Sequence, residues 1–126
     1  MNISKTTEKF ASDRGMELET SEVEVMKGIK AEVIYFYEKE SDCEPMLSYL
    51  SNEDGSLSYY GNIYLPQEIK EELPAYIENE KDLRQVIDFV SKEYAKVDND
   101  FAAIVEQSKL EATERVKSQR ANKMKM

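Results

Sequence analysis

Residues 81–119 read KDLRQVIDFVSKEYAKVDNDFAAIVEQSKLEATERVKSQ, and their apolar positions carry the fold. Leu83, Ile87, Val90, Tyr94, Val97, Phe101 and Ile104 recur at alternating steps of four and three, a heptad seam that Val86 and Val105 widen into a broader helical face. Asp98, Asn99 and Asp100 set three poor helix formers inside the stretch, at roughly 0.6 kcal/mol each relative to alanine. Burial of Val97 and Phe101 would return roughly 1.5–3 kcal/mol apiece. The seam keeps its phase across the acidic triplet, where a break would be expected to reset it, so the pattern predicts one continuous helix. Beyond Ile104 the seam positions turn polar (Ser108, Glu111, Arg115), while a weaker line of Val105, Ala112 and Val116 runs on a neighbouring face.

Size then sets a limit. A globule of this length measures about 35 Å across, whereas a helix over residues 81–119 would reach about 58 Å. The apolar part fits the globule and the remainder must project, bend or lie on a partner. This places a single acidic domain at residues 1–107 and a basic helical extension or frayed tail at 108–126. The seam residues Leu83, Ile87, Val90, Tyr94, Val97, Phe101 and Ile104 are also the self-association candidates, for a homodimer through the long helix.

Upstream, Ser4 is placed to cap a short helix from Ile3 to Arg14 that Gly15 can end. Residues 16–40 read two ways. Ser21 and Glu24 have capping-box spacing, but a helix would carry Gly28 in its interior, and Val33–Tyr37 is an unbroken β-branched and aromatic run. A hairpin turning at Lys27–Gly28 fits better, with Ile29, Ala31, Val33, Tyr35 and Tyr37 on one face. A second hairpin turns at Asn52–Gly55. On its second strand alternation sends Leu57, Tyr59, Ile63 and Leu65 inward, and Ser58, Tyr60, Asn62 and Tyr64 outward. Pro66 opens a short helix, Pro74 stops it, and Asn79 caps the long helix. The expected fold is α+β: a short N-terminal helix, a four-stranded antiparallel sheet of two hairpins, and the long amphipathic helix packed across one sheet face.

Composition bounds the chemistry. The chain has 126 residues, 40% apolar and 34% charged, with a net charge of −9, one cysteine and no histidine. From Lys109 onward six Lys/Arg stand against two Glu, a local +4 that leaves −13 for the rest. Without histidine, Ser–His–Asp and Cys–His nucleophile systems and imidazole metal ligands are gone. Cys43 sits among Glu40, Asp42 and Glu44, which disfavour its thiolate. The Asn52–Gly55 loop fails as an EF-hand, because Leu50 and Gly61 would occupy ligand positions that need Asp and Glu. Asp98 and Asp100 have no second converging cluster to complete a magnesium site, and Glu71 and Glu72 point about 100° apart on a helix. No phosphate loop is present. No cofactor, metal or catalytic residue is expected.

No apolar run spans a bilayer, MNISKTTEKF lacks a secretory hydrophobic segment, and the single cysteine excludes an intrachain disulfide, so a cytoplasmic protein is expected. An aromatic strand face can stack bases, but it also needs a basic groove, and this half of the chain is acidic. The leading functional reading is a non-enzymatic protein-binding module whose acidic, tyrosine-bearing surface meets a basic partner, in its sharper form an inhibitor that mimics nucleic acid. Its contact candidates are Tyr60, Tyr64, Glu71, Glu72, Asp98 and Asp100, unless the N-terminal helix covers the outer sheet face. The alternative is a nucleic-acid-associated protein using the basic end (Lys109, Arg115, Lys117, Arg120, Lys123, Lys125).

Overall fold

A computed structural model describes residues 1–39 and 44–124, with side chains described as far as residue 112. The chain is α+β: α1 (Lys5–Ser12), β1 (Met16–Met26), β2 (Ile29–Glu38), β3 (Leu47–Ser51), β4 (Leu57–Asn62), α2 (Gln67–Lys70), β5 (Tyr76–Ile77), α3 (Glu80–Val97) and α4 (Asn99–Met124). The strands form one antiparallel meander in the order β1-β2-β3-β4-β5. Cys43, with Glu40 and Asp42, lies outside the described residues.

Local chemistry accounts for the boundaries. Ser4 caps α1 by accepting from the Thr7 backbone N–H at 3.3 Å. Gly15 then turns the chain into β1 at φ +80, where a side chain would press on Ile104 and Val105 at 3.2 Å. Residues 16–38 are a hairpin as expected, turning at Lys27–Gly28 with Gly28 at φ +78. Asn79 caps α3 by accepting from the Asp82 N–H at 2.9 Å. A fifth strand joins the four expected ones: Tyr76 and Ile77 pair with Ser58 and Leu57. A strand of two residues is too short to show alternation.

The continuous long helix is not formed. α3 ends at Val97, Asp98 takes an extended conformation, and α4 begins at Asn99. Asp98 serves both ends of the break: its N–H donates to the Tyr94 carbonyl at 3.0 Å, and its Oδ1 accepts from the Phe101 N–H at 2.8 Å. Aspartate is a poor helix interior and a strong N-cap, so the triplet whose cost looked repayable is a helix start. α4 turns back along α3, with Val105 and Ala112 across a groove from Asp88, Ser91 and Ala95.

Among the described residues the helical packing falls on one sheet face. Met16, Ile34, Phe36, Leu47, Tyr49, Leu57 and Ile77 form a core with Ala11 of α1, Leu83, Val86, Ile87, Val90 and Tyr94 of α3, and Phe101 and Val105 of α4. The set Ile29, Ala31, Val33, Tyr35 and Tyr37 does share a face, the one turned away from the helices. The register places Phe36 between Leu18 and Leu47, and Ile34 beside Tyr49, on the core side. Along this segment the expected alternation holds for Leu57, Tyr59, the exposed Tyr60 and the buried Leu65, and fails for Ile63 and Tyr64. Gly61 pairs with Ser48 while Tyr59 pairs with Tyr49, leaving Tyr60 as the extra residue of a β-bulge. Just after it Ile63, expected inward, is exposed, and Tyr64, expected outward, packs against Tyr94 with ring centroids 6.1 Å apart.

Candidate functional site

The face of the sheet opposite the helices is the candidate site, and it follows directly from the register. One row across the sheet is Ser21, Val33, Leu50, Ser58 and Tyr76; the next is Glu19, Tyr35, Ser48 and Gly61; Glu17 and Tyr37 stand beyond. Val33 and Ser48 are buried, Tyr35, Tyr37 and Leu50 are half-buried, and Tyr76 is 48% exposed. The rings of Tyr35 and Tyr37 lie 6.4 Å apart, tilted by 51°. Burial, and then the hydrogen-bonded Glu19 carboxylate, raise Tyr37 above the ordinary phenol range, so this phenol stays neutral. Tyr76 donates from its hydroxyl to Asp54 at 3.4 Å. Tyr60, on the bulge, is 49% exposed.

The electrostatics are one-signed. The five strands hold six glutamates (17, 19, 22, 24, 32 and 38) and one lysine, Lys30, which makes an exposed 3.6 Å ion pair with Glu22. A surface of this kind lowers the energy of an approaching cationic group and raises that of a phosphate.

Sequence-derived candidates scatter around this face. Of the six contact candidates, Tyr60 is half exposed on the bulge and Tyr64 is packed on the helices. Glu71 and Glu72 are exposed at the end of α2, where Glu71 accepts from the Gln67 amide at 3.1 Å. Asp98 is occupied as a cap and accepts from the Tyr94 hydroxyl at 3.0 Å, while Asp100 is exposed in the first turn of α4. The self-association candidates do not form a free seam. Leu83, Ile87, Val90, Tyr94 and Phe101 are buried in the chain's own core, Ile104 is half-buried, and Val97 is 61% exposed beside the break. Sequence reasoning passed over Tyr35, Tyr37, Tyr76, Glu17 and Glu19 as contact residues. Alternation in Glu17-Leu18-Glu19 and Tyr35-Phe36-Tyr37 was the available signal, and Tyr76 offered none.

A second concavity lies between α3 and α4. This groove of about 750 Å³ is lined by Asp13, Arg14, Asp88, Lys92, Glu93, Lys96 and Lys109 over an apolar floor of Ala95, Val105 and Ala112. Arg14 and Lys92 both hold Asp88, at 3.0 and 2.9 Å, and Lys96 holds Glu93 at 3.0 Å. Burial alone would raise the Asp88 carboxyl, but the hydrogen bonds from Lys92 and Arg14 outweigh it and hold it below the ordinary carboxylate range. The groove is thus an internally neutralised ion-pair network rather than a one-signed site. Of the basic-end candidates, Lys109 lines this groove; the side chains of Arg115, Lys117, Arg120, Lys123 and Lys125 lie outside the described residues. Ser108 is buried and Lys39 bonds Glu111 at 3.2 Å, so α4 remains packed beyond residue 107.

Among the described residues no group of three or more His, Cys, Asp or Glu is arranged to hold a metal ion, and no helix is long and apolar enough to cross a membrane. The chain matches no protein-family model, and neither the curated proteins nor the solved structures contain a significant match to it.

Proposed function

We propose that this chain is a non-enzymatic protein-binding module whose open, acidic sheet face receives a partner with a basic surface. The observation that carries the reading is the sheet itself: one face carries the whole helical layer, and the other presents tyrosines beside glutamates with no strand lysine among them. Tyrosine suits such a surface because its ring supplies contact area while its hydroxyl remains hydrogen-bonded. The uneven charge supplies steering: cationic surfaces are drawn in and nucleic acid is repelled. In its sharper form the partner's basic surface is a nucleic-acid-binding groove, and the chain acts as an inhibitor by filling it.

The test compares what the wild-type chain and a Tyr60→Ser, Tyr76→Ser, Glu19→Lys variant capture from a lysate. All three side chains lie outside the helix-packed core, so the variant is expected to fold, with circular dichroism as the check. The reading expects basic proteins retained by the wild type, lost by the variant, and competed away by an oligonucleotide if the partner is a nucleic-acid-binding protein. Identical captured sets would overturn it. So would steeply salt-dependent binding of a labelled oligonucleotide by the chain, abolished on removing residues after 112, which is the outcome for an activity residing in the basic end.

A further inference from the structure

The end of the sheet offers a more specific contact than its face. Among the described residues β1 is the edge strand and pairs with β2 alone; it is eleven residues long, whereas β5 at the opposite edge has two. Its outer edge therefore presents a run of unpaired backbone donors and acceptors. Such edges are usually blunted by charged side chains, proline, bulges or brevity; MELETSEVEVM has no lysine or proline and a single bulge near its end between Glu24 and Met26, so its only charges are negative. It has four exposed glutamates instead, and their placement is patterned. Glu17 and Glu19 lie on the open face, two residues and about 7 Å apart. Glu22 and Glu24 have the opposite parity and lie on the other face, opposite Glu32 and Lys30. A second copy of the chain would bring four more carboxylates to this edge, which like-charge repulsion opposes.

We propose that β1 is a docking strand, and that its occupant is an extended basic segment of the partner that adds to the sheet as a sixth strand. This rests on the protein-binding reading above and deepens it. Residues directly opposite in paired strands share a face. A strand laid along Glu17–Glu24 therefore meets all four carboxylates only if its cations change face midway, in the spacing Lys-x-Lys-x-x-Lys-x-Lys. The spacing reads the same in both directions, so it holds for either strand polarity. Backbone pairing supplies the affinity and the carboxylates select the sequence, the division of labour usual in strand addition.

Three labelled peptides titrated into the full chain test this: KTKVTKTK, the same composition in strict alternation (KTKTKTKV), and KTKVTKTK with alternate amides N-methylated. The expected results are saturable binding of the first with slowed amide exchange across Glu17–Glu24, about tenfold weaker binding of the second, and none of the third. Glu17→Lys with Glu22→Lys should abolish binding of the first; both side chains are exposed. Equal binding of the N-methylated peptide would reduce the contact to charge alone and overturn the proposal. Equal binding of the strictly alternating peptide, or unchanged exchange at β1, would do the same. A chain that captures its partner through Tyr60, Tyr76 and Glu19 yet shows none of these peptide responses overturns the docking strand and leaves the protein-binding reading standing.

Discussion

Asp98 decides more than any other single residue. Its backbone closes α3, one carboxylate oxygen opens α4, and the other accepts from Tyr94. Replacing Asp98 by alanine removes an N-cap, at about 1 kcal/mol, and one of the two carboxylate hydrogen bonds of the Tyr94 hydroxyl, which keeps Glu38 as a partner, at about 0.5–1 kcal/mol more. Urea titration should therefore show a loss of about 1.5–2 kcal/mol, with Asp98→Asn milder because asparagine also caps. The tyrosines make a second prediction. Burial is the main cause raising Tyr49 and Tyr94 above the ordinary phenol range, and for Tyr94 the hydrogen bond to Asp98 adds to it. Below about pH 10 both phenols are neutral in the folded and the unfolded chain. Above it the unfolded chain loses protons that the folded chain keeps, so stability is fully present below pH 10 and falls as pH rises. Denaturant midpoints measured between pH 8 and 11 should drop, and Tyr94→Phe should flatten that drop.

At the level of elements, the informative comparison is along the seam across the α3–α4 break. In one continuous helix Val97 and Phe101 would be successive contacts on the same stripe. In the helical hairpin Val97 is 61% exposed, whereas Phe101 is buried with its ring 5.0 Å from that of Tyr94. Val97→Ser is therefore expected to change stability by less than about 0.5 kcal/mol, and Phe101→Ala to cost about 3–5 kcal/mol. Comparable losses at the two positions would restore the continuous stripe. The β4 bulge is the sheet's counterpart of this break. One extra residue at Tyr60 sends Tyr64 to the core and Ile63 to the surface, inverting those two assignments made from strict alternation, while Leu65 is buried as expected.

For the molecule as a whole, the helices that share one sheet face consume the apolar surface from which a coiled-coil dimer would be made. With Leu83, Ile87, Val90, Tyr94 and Phe101 buried within one chain, light scattering should return the mass of a monomer, 14.6 kDa, at concentrations up to about 100 µM. A dimer at that concentration would require another surface, and an edge strand carrying four glutamates disfavours itself as one.

Local chemistry was enough to write the α+β class, the caps at Ser4 and Asn79, the turns at Gly28 and Gly55, and the scarcity of conventional catalytic groups into the sequence. Each depends on a backbone preference or a side-chain type that acts within a few residues of itself. The direction of α4, the bulge at Tyr60, the pairing of Tyr76–Ile77 and the choice of which β2 face meets the helices were settled only in three dimensions. Val33–Tyr37 is apolar on both parities, so alternation cannot rank its faces, and the register with Leu18, Leu47 and Tyr49 does. The open tyrosine face and the acidic edge are legible as residue types along the chain. They become a surface only because every helix packs on the other side of the sheet.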